Sequence, residues 1–455
     1  MECNKFIVDL EKQKEVSLKK REFTIFFNDK NLKKFPLYFH SIEQASKMIL
    51  PFLFITSFIW FIYKKYKTSC YPPGPFPLPL IGNLHLLRKD IHLSMDRLSK
   101  QYGSMFTLWM ADIPFVVITD YQLAKKVCLT NKFADRLPLY VGGELYSRGA
   151  KDIIMGDYSP SLTLHRKLAQ SAFQMFGGHM EALEGRIITN VENLLQSCQK
   201  NINNPRFELF QDIEYTFFNV MSTIVFGDSV SKDSELFIKI RNAVFFMMQS
   251  GVTLSMVNFY PVLRHLPNIE LKKTNKVVKE RDTVLKDVFM KVKAEFNIDS
   301  QPTNYIEALL KSKSQSAAEE KAGDEVVFSQ DHMEMNIYDM FLAGVETVAV
   351  TAMWSVLFLV KWPEVQQTCH KHLERVVGPR PEGSKGVQTR VRMEHKKDLP
   401  YFTAVIYETL RLASTLPFGV FHRARESTTL NEYNFEKGKF YYFSYISHFK
   451  PFYGK

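Results

Sequence analysis

The sequence predicts a mainly α-helical protein with small β-sheets, and three observations carry that prediction. Between about Leu162 and Phe296, stretches such as "HMEALEGRIITNVENLLQSCQ" and "NKVVKERDTVLKDVFMKVKAEF" repeat apolar residues every three or four positions, the period of an amphipathic helix. β-branched and aromatic content around a turn is confined to short runs, chiefly "FTLWMADIPFVVITD". A chain of 455 residues that is 45% hydrophobic can bury one large core or two to three ordinary domains, and its composition is that of a globular protein.

In chain order, residues 1–47 form a charged, motif-free extension without an assigned role. Residues 48–67 read as a membrane anchor: "MILPFLFITSFIWFIY" has no charge, Trp60 and Tyr63 suit the interface, and Lys64, Lys65 and Lys67 follow at once. The same run also suits a buried core helix or a secretory signal, although no small-residue cleavage site follows it. Lysines on both sides leave the positive-inside rule a weak vote for a cytosolic body. The net charge of +11 fits an anionic membrane, an acidic protein or a nucleic acid about equally. Cys3, Cys70, Cys128, Cys198 and Cys369 show no CxxC spacing, so neither a zinc site nor a disulfide framework is indicated.

The segment "YPPGPFPLPLIGNL", residues 71–84, has prolines that fix φ and remove donors, so it should be a stiff, extended strap spacing the body from the membrane. Phe106 to Asp120 should be a hairpin turning near Asp112 to Pro114. Ser312 to Asp324 and Gly378 to Gly386 read as solvated loops.

The stretch "MFLAGVETVAVTAMW" is an apolar helix that carries a glycine, a carboxylate and two threonines near its middle. Met340, Ala343, Gly344, Thr347 and Thr351 fall at helical intervals and share one shallow stripe. That stripe admits something bulky to the backbone, with the Thr347 hydroxyl beside it and Glu346 as a proton source; the plainer reading is a close helix crossing made by small residues. Further on, "YETLRLASTLP" places Glu408 and Arg411 three apart on a helix that ends before Pro417. Such a pair is common on solvated faces and decides nothing alone.

Together the anchor, the proline strap, Ala-Gly-x-Glu-Thr in a long apolar helix and a later Glu-x-x-Arg resemble the microsomal cytochrome P450 monooxygenases, the steroid- and drug-oxidising branches in particular. The resemblance runs from about Tyr71 to the C-terminus. It implies the cytochrome P450 fold and a haem cofactor, with Ala343 and Gly344 forming the groove for dioxygen and Thr347 with Glu346 guiding protons. It implies that Arg136 in "KFADRLPL", Arg166 in "LTLHRKLA" and His422 in "PFGVFHRAR" bind the haem propionates. Glu408 and Arg411 would be a buried structural pair behind the haem. The implied partners are a lipophilic small-molecule substrate (steroid, fatty acid or foreign compound), dioxygen, a reductase fed by NADPH, and the endoplasmic reticulum membrane with the body facing the cytosol. No nucleic acid is expected. Tyr146 to Gly156 and Phe207 to Tyr260 are expected to line or cover the pocket.

Two departures accompany the resemblance. Leu162 stands where the family usually has a tryptophan that bonds the haem edge. The family's cysteine loop, whose thiolate ligates the iron, has no counterpart before the sequence stops at "EKGKFYYFSYISHFKPFYGK", and neither Cys369 nor His448 occupies an equivalent place. Residues 68–455 are therefore expected to be a catalytic domain without its C-terminal haem-ligand region, and no metal ligand is assigned. The expected function is haem-dependent monooxygenation; the alternatives are a non-catalytic truncated form and a membrane-tethered helical interaction protein.

Overall fold

The structure is a computed structural model that describes residues 55–443 apart from 57, 88–89, 178–179, 229, 250–254, 320–328, 379–390, 418 and 439. The extension, the first part of the anchor, most of the Gly378 to Gly386 stretch and His448 lie outside the described residues. The chain divides into two units, Met1–Lys67 and Thr68–Lys455. In the first, residues 58–67 are helical and expose Phe58, Ile59, Phe61 and Ile62. Lys64 and Lys67 set their ammonium groups 6.0 and 5.8 Å from the Trp60 and Tyr63 ring centres, one helical turn back in each case.

The second unit opens with α1 (Ile91–Tyr102), then the strands β1 (Met105–Met110) and β2 (Ile113–Ile118). These pair antiparallel from Met105↔Ile118 to Met110↔Ile113, the hairpin its β-branched content predicts. The turn is tight, with Ala111 at φ 55°. After α2 (Tyr121–Cys128) and the short β3 (Asp135–Arg136) the chain becomes helical: α3 (Pro160–Gly177), α4 (Met180–Lys200), α5 (Leu209–Val225), α6 (Glu235–Gln249), α7 (Ile269–Glu295) and α8 (Tyr305–Glu319). Then follow α9 (Gln330–Gly344), α10 (Glu346–Lys361), α11 (Pro363–Val377) and α12 (Pro400–Ala413). Short strands close the described chain: β4 (His422–Arg423), β5 (Thr428–Leu430), β6 (Tyr433–Phe435) and β7 (Phe440–Phe443).

The sheet runs β1-β2-β7-β4-β3, so strands from opposite ends of the unit lie side by side, with β7 parallel to β2. The proline strap covers its β1 edge: Thr107 N–H donates to Pro73 C=O at 2.9 Å, and Trp109 N–H donates to the buried Asn83 Oδ1 at 2.8 Å. The strap expected from its prolines is thus laid along the sheet. Proline and glycine here let one backbone lie on another and satisfy an otherwise open sheet edge.

The main core gathers where α5, α6, α7, α8 and α9 meet, around Phe218, Phe237, Phe289, Leu309 and Phe341. Phe341 stacks 5.4 Å from Phe226 and lies 4.8 Å from Phe218, an aromatic contact that locks α9 against α5. Two expectations are corrected. Ser312 to Glu319 continues α8, because Ala317, Ala318 and Glu319 favour helix even without bulky side chains. The central apolar helix is two helices, broken at Val345 (φ −101°, ψ −68°). Gln330–Lys361 is the one described helical stretch long and apolar enough to cross a membrane, by length and composition alone. Its first half is packed inside the body through Asn336, Asp339 and Phe341.

Candidate active site

The break at Val345 arises where hydroxyls compete with the backbone. Thr347 Oγ1 donates to Ala343 C=O at 2.5 Å, Thr351 Oγ1 to Thr347 C=O at 2.8 Å, and Ser355 Oγ to Thr351 C=O at 3.2 Å. Such i−4 bonds bend helices. Thr351 Oγ1 also meets Thr415 Oγ1 at 2.8 Å, fastening α10 to the segment after α12.

The expected stripe divides in two. Ala343 is exposed and Thr347 partly so, which leaves a flat, open face with one hydroxyl on it. Gly344 points elsewhere: a Cβ there would stand 3.0 Å from Met221 Sδ of α5. The lack of a side chain at Gly344 thus serves the crossing of α9 with α5, the plainer of the two readings. Glu346 is half-buried, and its Oε2 has no hydrogen-bond partner in the structure. Burial, and then the Glu214 carboxylate, push its pKa up, while Arg241 pulls it down. Glu214 itself is held by Arg241 Nε at 2.7 Å.

Arg136, Arg166 and His422, the three residues expected at the propionates, are placed around one loop. β3 pairs with β4 so that Arg136 faces His422 in register. His422 Nδ1 lies 2.8 Å from Phe133 C=O, and Arg136 Nη1 lies 2.9 Å from both ring nitrogens. With Nδ1–H donating to the carbonyl, only Nε2 remains to accept from the guanidinium, which fixes a neutral tautomer. Arg136 Nε donates to Ile154 C=O at 2.8 Å, and Arg166 Nη2 makes a longer 3.4 Å contact to Ile153 C=O. Burial and the neighbouring Arg166 lower the Arg136 pKa. Among the described residues neither guanidinium has a carboxylate within ion-pair distance. The nearest candidates are engaged elsewhere: Asp157 accepts from Arg136 N–H and Arg423, and Asp152 accepts from Ser147 and Met155. Leu162, 4% exposed, packs beneath this loop with Cδ1 3.1 Å from where a Gly156 Cβ would be.

Burial, then Arg136, lower the His422 pKa to about 4. Unfolded, the ring takes up its proton near 6.5, so between those values the unfolded chain binds more protons and stability falls as pH falls. We expect a loss approaching about 3 kcal/mol on going from pH 7 to pH 4. Melting temperatures of the native chain and His422→Gln across this window check it: the variant should lose that part of the slope, and parallel curves would contradict the assignment.

The last expected pair behaves differently. Glu408 and Arg411 bond to each other, Arg411 Nε to Glu408 Oε2 at 2.8 Å, but their side chains are 55% and 46% exposed. The expectation of a buried pair is corrected, because among the described residues nothing packs over that face of α12. Its neighbours Ile406, Tyr407 and Leu410 are exposed too, as are Val356, Leu357 and Val360 on α10. Cys369, on α11, is buried, and burial raises its thiol pKa, which disfavours a thiolate. No group of three metal-ligating side chains occurs among the described residues.

Sequence reasoning missed a buried polar group next to the cations. Asp339, 2% exposed, accepts from Ile153 N–H at 2.8 Å. Burial first, then Asp152, raise its pKa well above the usual carboxylate range. Arg281, wholly buried, bonds Asp282 and lies 4.3 Å from the Tyr338 ring centre. The available signal was a carboxylate set within the apolar run "NIYDMF".

The described helical body thus presents an open alanine–threonine face and two arginines, Arg136 and Arg166, that have no carboxylate within ion-pair distance among the described residues. The chain belongs to the cytochrome P450 family, whose model matches residues 72–445. It is 29% identical over 402 residues to the steroid 17-alpha-hydroxylase/17,20 lyase of Squalus acanthias, covering 88% of this chain and 77% of that one. The Gallus gallus protein of the same name is 30% identical over 368 residues, covering 79% and 70%. Cytochrome P450 2E1 of Oryctolagus cuniculus is 29% identical over 375 residues, covering 81% and 72%. A zebrafish cytochrome P450 structure with progesterone shares the fold at a TM-score of 0.68 and 24% identity, covering 80% of this chain and 81% of that one. The chain is thus a monooxygenase of a family whose members bind haem and use dioxygen, a lipophilic substrate and a redox partner.

Proposed function

We propose that this chain inserts one atom of dioxygen into a lipophilic substrate of the steroid, fatty-acid or foreign-compound class, with electrons from NADPH passed through a reductase. The similarity to steroid hydroxylases favours a steroid-like substrate. The exposed apolar residues of 58–67, followed by lysines, support anchoring to the endoplasmic reticulum membrane with the body in the cytosol.

The observation that carries this reading is the cation cluster. Cations drawn from water normally pair with an acid, and among the described residues the half-buried Arg136 and Arg166 pair with none, so a ligand bearing carboxylates would satisfy them. The residues present fit haem. Arg136 and Arg166 would hold its propionates, neutral His422, with both ring nitrogens engaged, would orient the Arg136 guanidinium instead of binding a propionate itself, and Ala343 would leave the helix face flat enough for a planar ring. Bound haem supplies the activation of dioxygen. Thr347 already donates to Ala343 C=O, so its oxygen is left to accept a hydrogen bond on the open side. Glu346, one residue away, has its pKa raised by burial and one oxygen unpartnered, and would serve as a proton donor on the side of that hydroxyl.

The test is oxygenation of a neutral steroid such as progesterone under isotopically labelled dioxygen, with NADPH and a reductase. The expected product gains one labelled oxygen. NADPH consumption without any oxygenated product from a panel of steroids, fatty acids and aromatic compounds would contradict the proposal.

A further inference from the structure

We propose that Asp339 is a positioning residue for the cation cluster: from inside α9 it fixes the loop whose consecutive carbonyls, of Ile153 and Ile154, aim Arg166 and Arg136. The inference rests on the reading that this cluster binds carboxylates.

Residues 147–157 have little regular structure of their own. Three residues in a row take left-handed backbone angles, Arg148 at φ 49°, Gly149 at 81° and Ala150 at 57°, a costly conformation for the two that are not glycine. Such a segment keeps its shape only if the surroundings hold it. Ser147 Oγ donates to Asp152 Oδ2 at 2.6 Å, and Met155 N–H donates to Asp152 Oδ1 at 2.8 Å, so Asp152 ties the loop to itself. Gly149 and Ala150 N–H groups return to Gly143 C=O.

Asp339 ties the loop to the rest of the protein. Its Oδ2 accepts from Ile153 N–H at 2.8 Å, and its own side chain is buried, so the bond is shielded from water. With the Ile153 amide drawn to α9, the carbonyls of Ile153 and Ile154 are the acceptors that Arg166 Nη2 and Arg136 Nε use, at 3.4 and 2.8 Å. Each guanidinium spends one donor on the loop, Arg136 gives a second to His422, and the remaining donors are left for a ligand. The arrangement explains why a carboxylate is buried at a cost that an apolar residue would avoid. It also fixes spacing: Asp339 and the exposed Ala343 sit four positions apart on α9, about 6 Å at the helical rise. The anion site and the open face are thereby set by one element.

The experiment is a Soret titration of the native chain and its variants with haem and with haem dimethyl ester, whose propionates carry no charge. The native chain should prefer haem. In Asp339→Ala the affinity for haem should fall about tenfold while that for the ester changes little, so the preference disappears. Asp339→Asn keeps a side-chain carbonyl for Ile153 N–H and should keep the preference. Asp339→Ala retaining the preference, Asp339→Ala losing haem and ester alike, or Asp339→Asn losing the preference would each overturn the inference. A native chain indifferent to esterification would overturn the reading of the cluster itself, and the inference with it.

Discussion

Thr347→Ala is expected to cut product formed per NADPH consumed by about tenfold or more, with hydrogen peroxide release rising correspondingly. The reason lies in a single oxygen. Thr347 Oγ1 donates to Ala343 C=O at 2.5 Å, so its proton is committed to the helix and its lone pairs are left to accept from the open side. Alanine removes that acceptor, and with it the proton path from Glu346 that we propose. Serine restores the hydroxyl, so Thr347→Ser should retain most of the coupling. Oxygen, NADPH, peroxide and product measured together decide the matter: unchanged coupling in Thr347→Ala would remove the residue from the mechanism.

The largest expected effect on stability is at Gly82, far from that chemistry. Its φ of +60° is left-handed, and a Cβ would stand 2.2 Å from Trp109 C=O oxygen and 2.6 Å from that of Ala111. Both obstacles are backbone atoms of the hairpin, so neither can swing away as a flexible side chain would. Gly82→Val should therefore cost about 4 kcal/mol or more, through overpacking and backbone strain acting together. The strap would peel from β1, and with it the Asn83 side chain that accepts from Trp109 N–H. Thermal or denaturant unfolding checks this: a variant as stable as the native chain would show that the strap does not depend on close backbone approach.

What could be read in the sequence follows the range of the forces involved. The hairpin at Phe106 to Asp120 and the helices between Leu162 and Phe296 are set by local periodicity, and they stand in the structure as expected. Pairing of β2 with β7 joins Phe115 to Phe440, and no local pattern announces a contact over that separation. Ser312 to Glu319 looked like a loop because it lacks bulky residues, yet helix propensity does not need them. Gly344 shows the limit of a stripe read from spacing alone: it shares a face with Ala343 to within one position, but the structure turns it towards Met221. Glu408 and Arg411 formed their pair from spacing, while their exposure depended on packing that spacing cannot report. Arg136, Arg166 and His422 each look ordinary in the sequence. Only the β3–β4 pairing brings Arg136 and His422 together, and the resemblance to a known family, rather than any local signal, singled them out. Asp339 did leave a trace, a charge inside an apolar run, whose partner in another segment could not be guessed.

The central claim is that the side of the helical stretch bearing Ala343 and Thr347 is built to lie against a haem. Its most direct test is a Soret titration of the native chain and of Ala343→Trp, a substitution at an exposed site that the fold should accept without loss of helical content or melting temperature. The account predicts that the native chain binds haem and that the indole weakens this by about a hundredfold or more by occupying the flat face. Haem binding to Ala343→Trp with native affinity would contradict it.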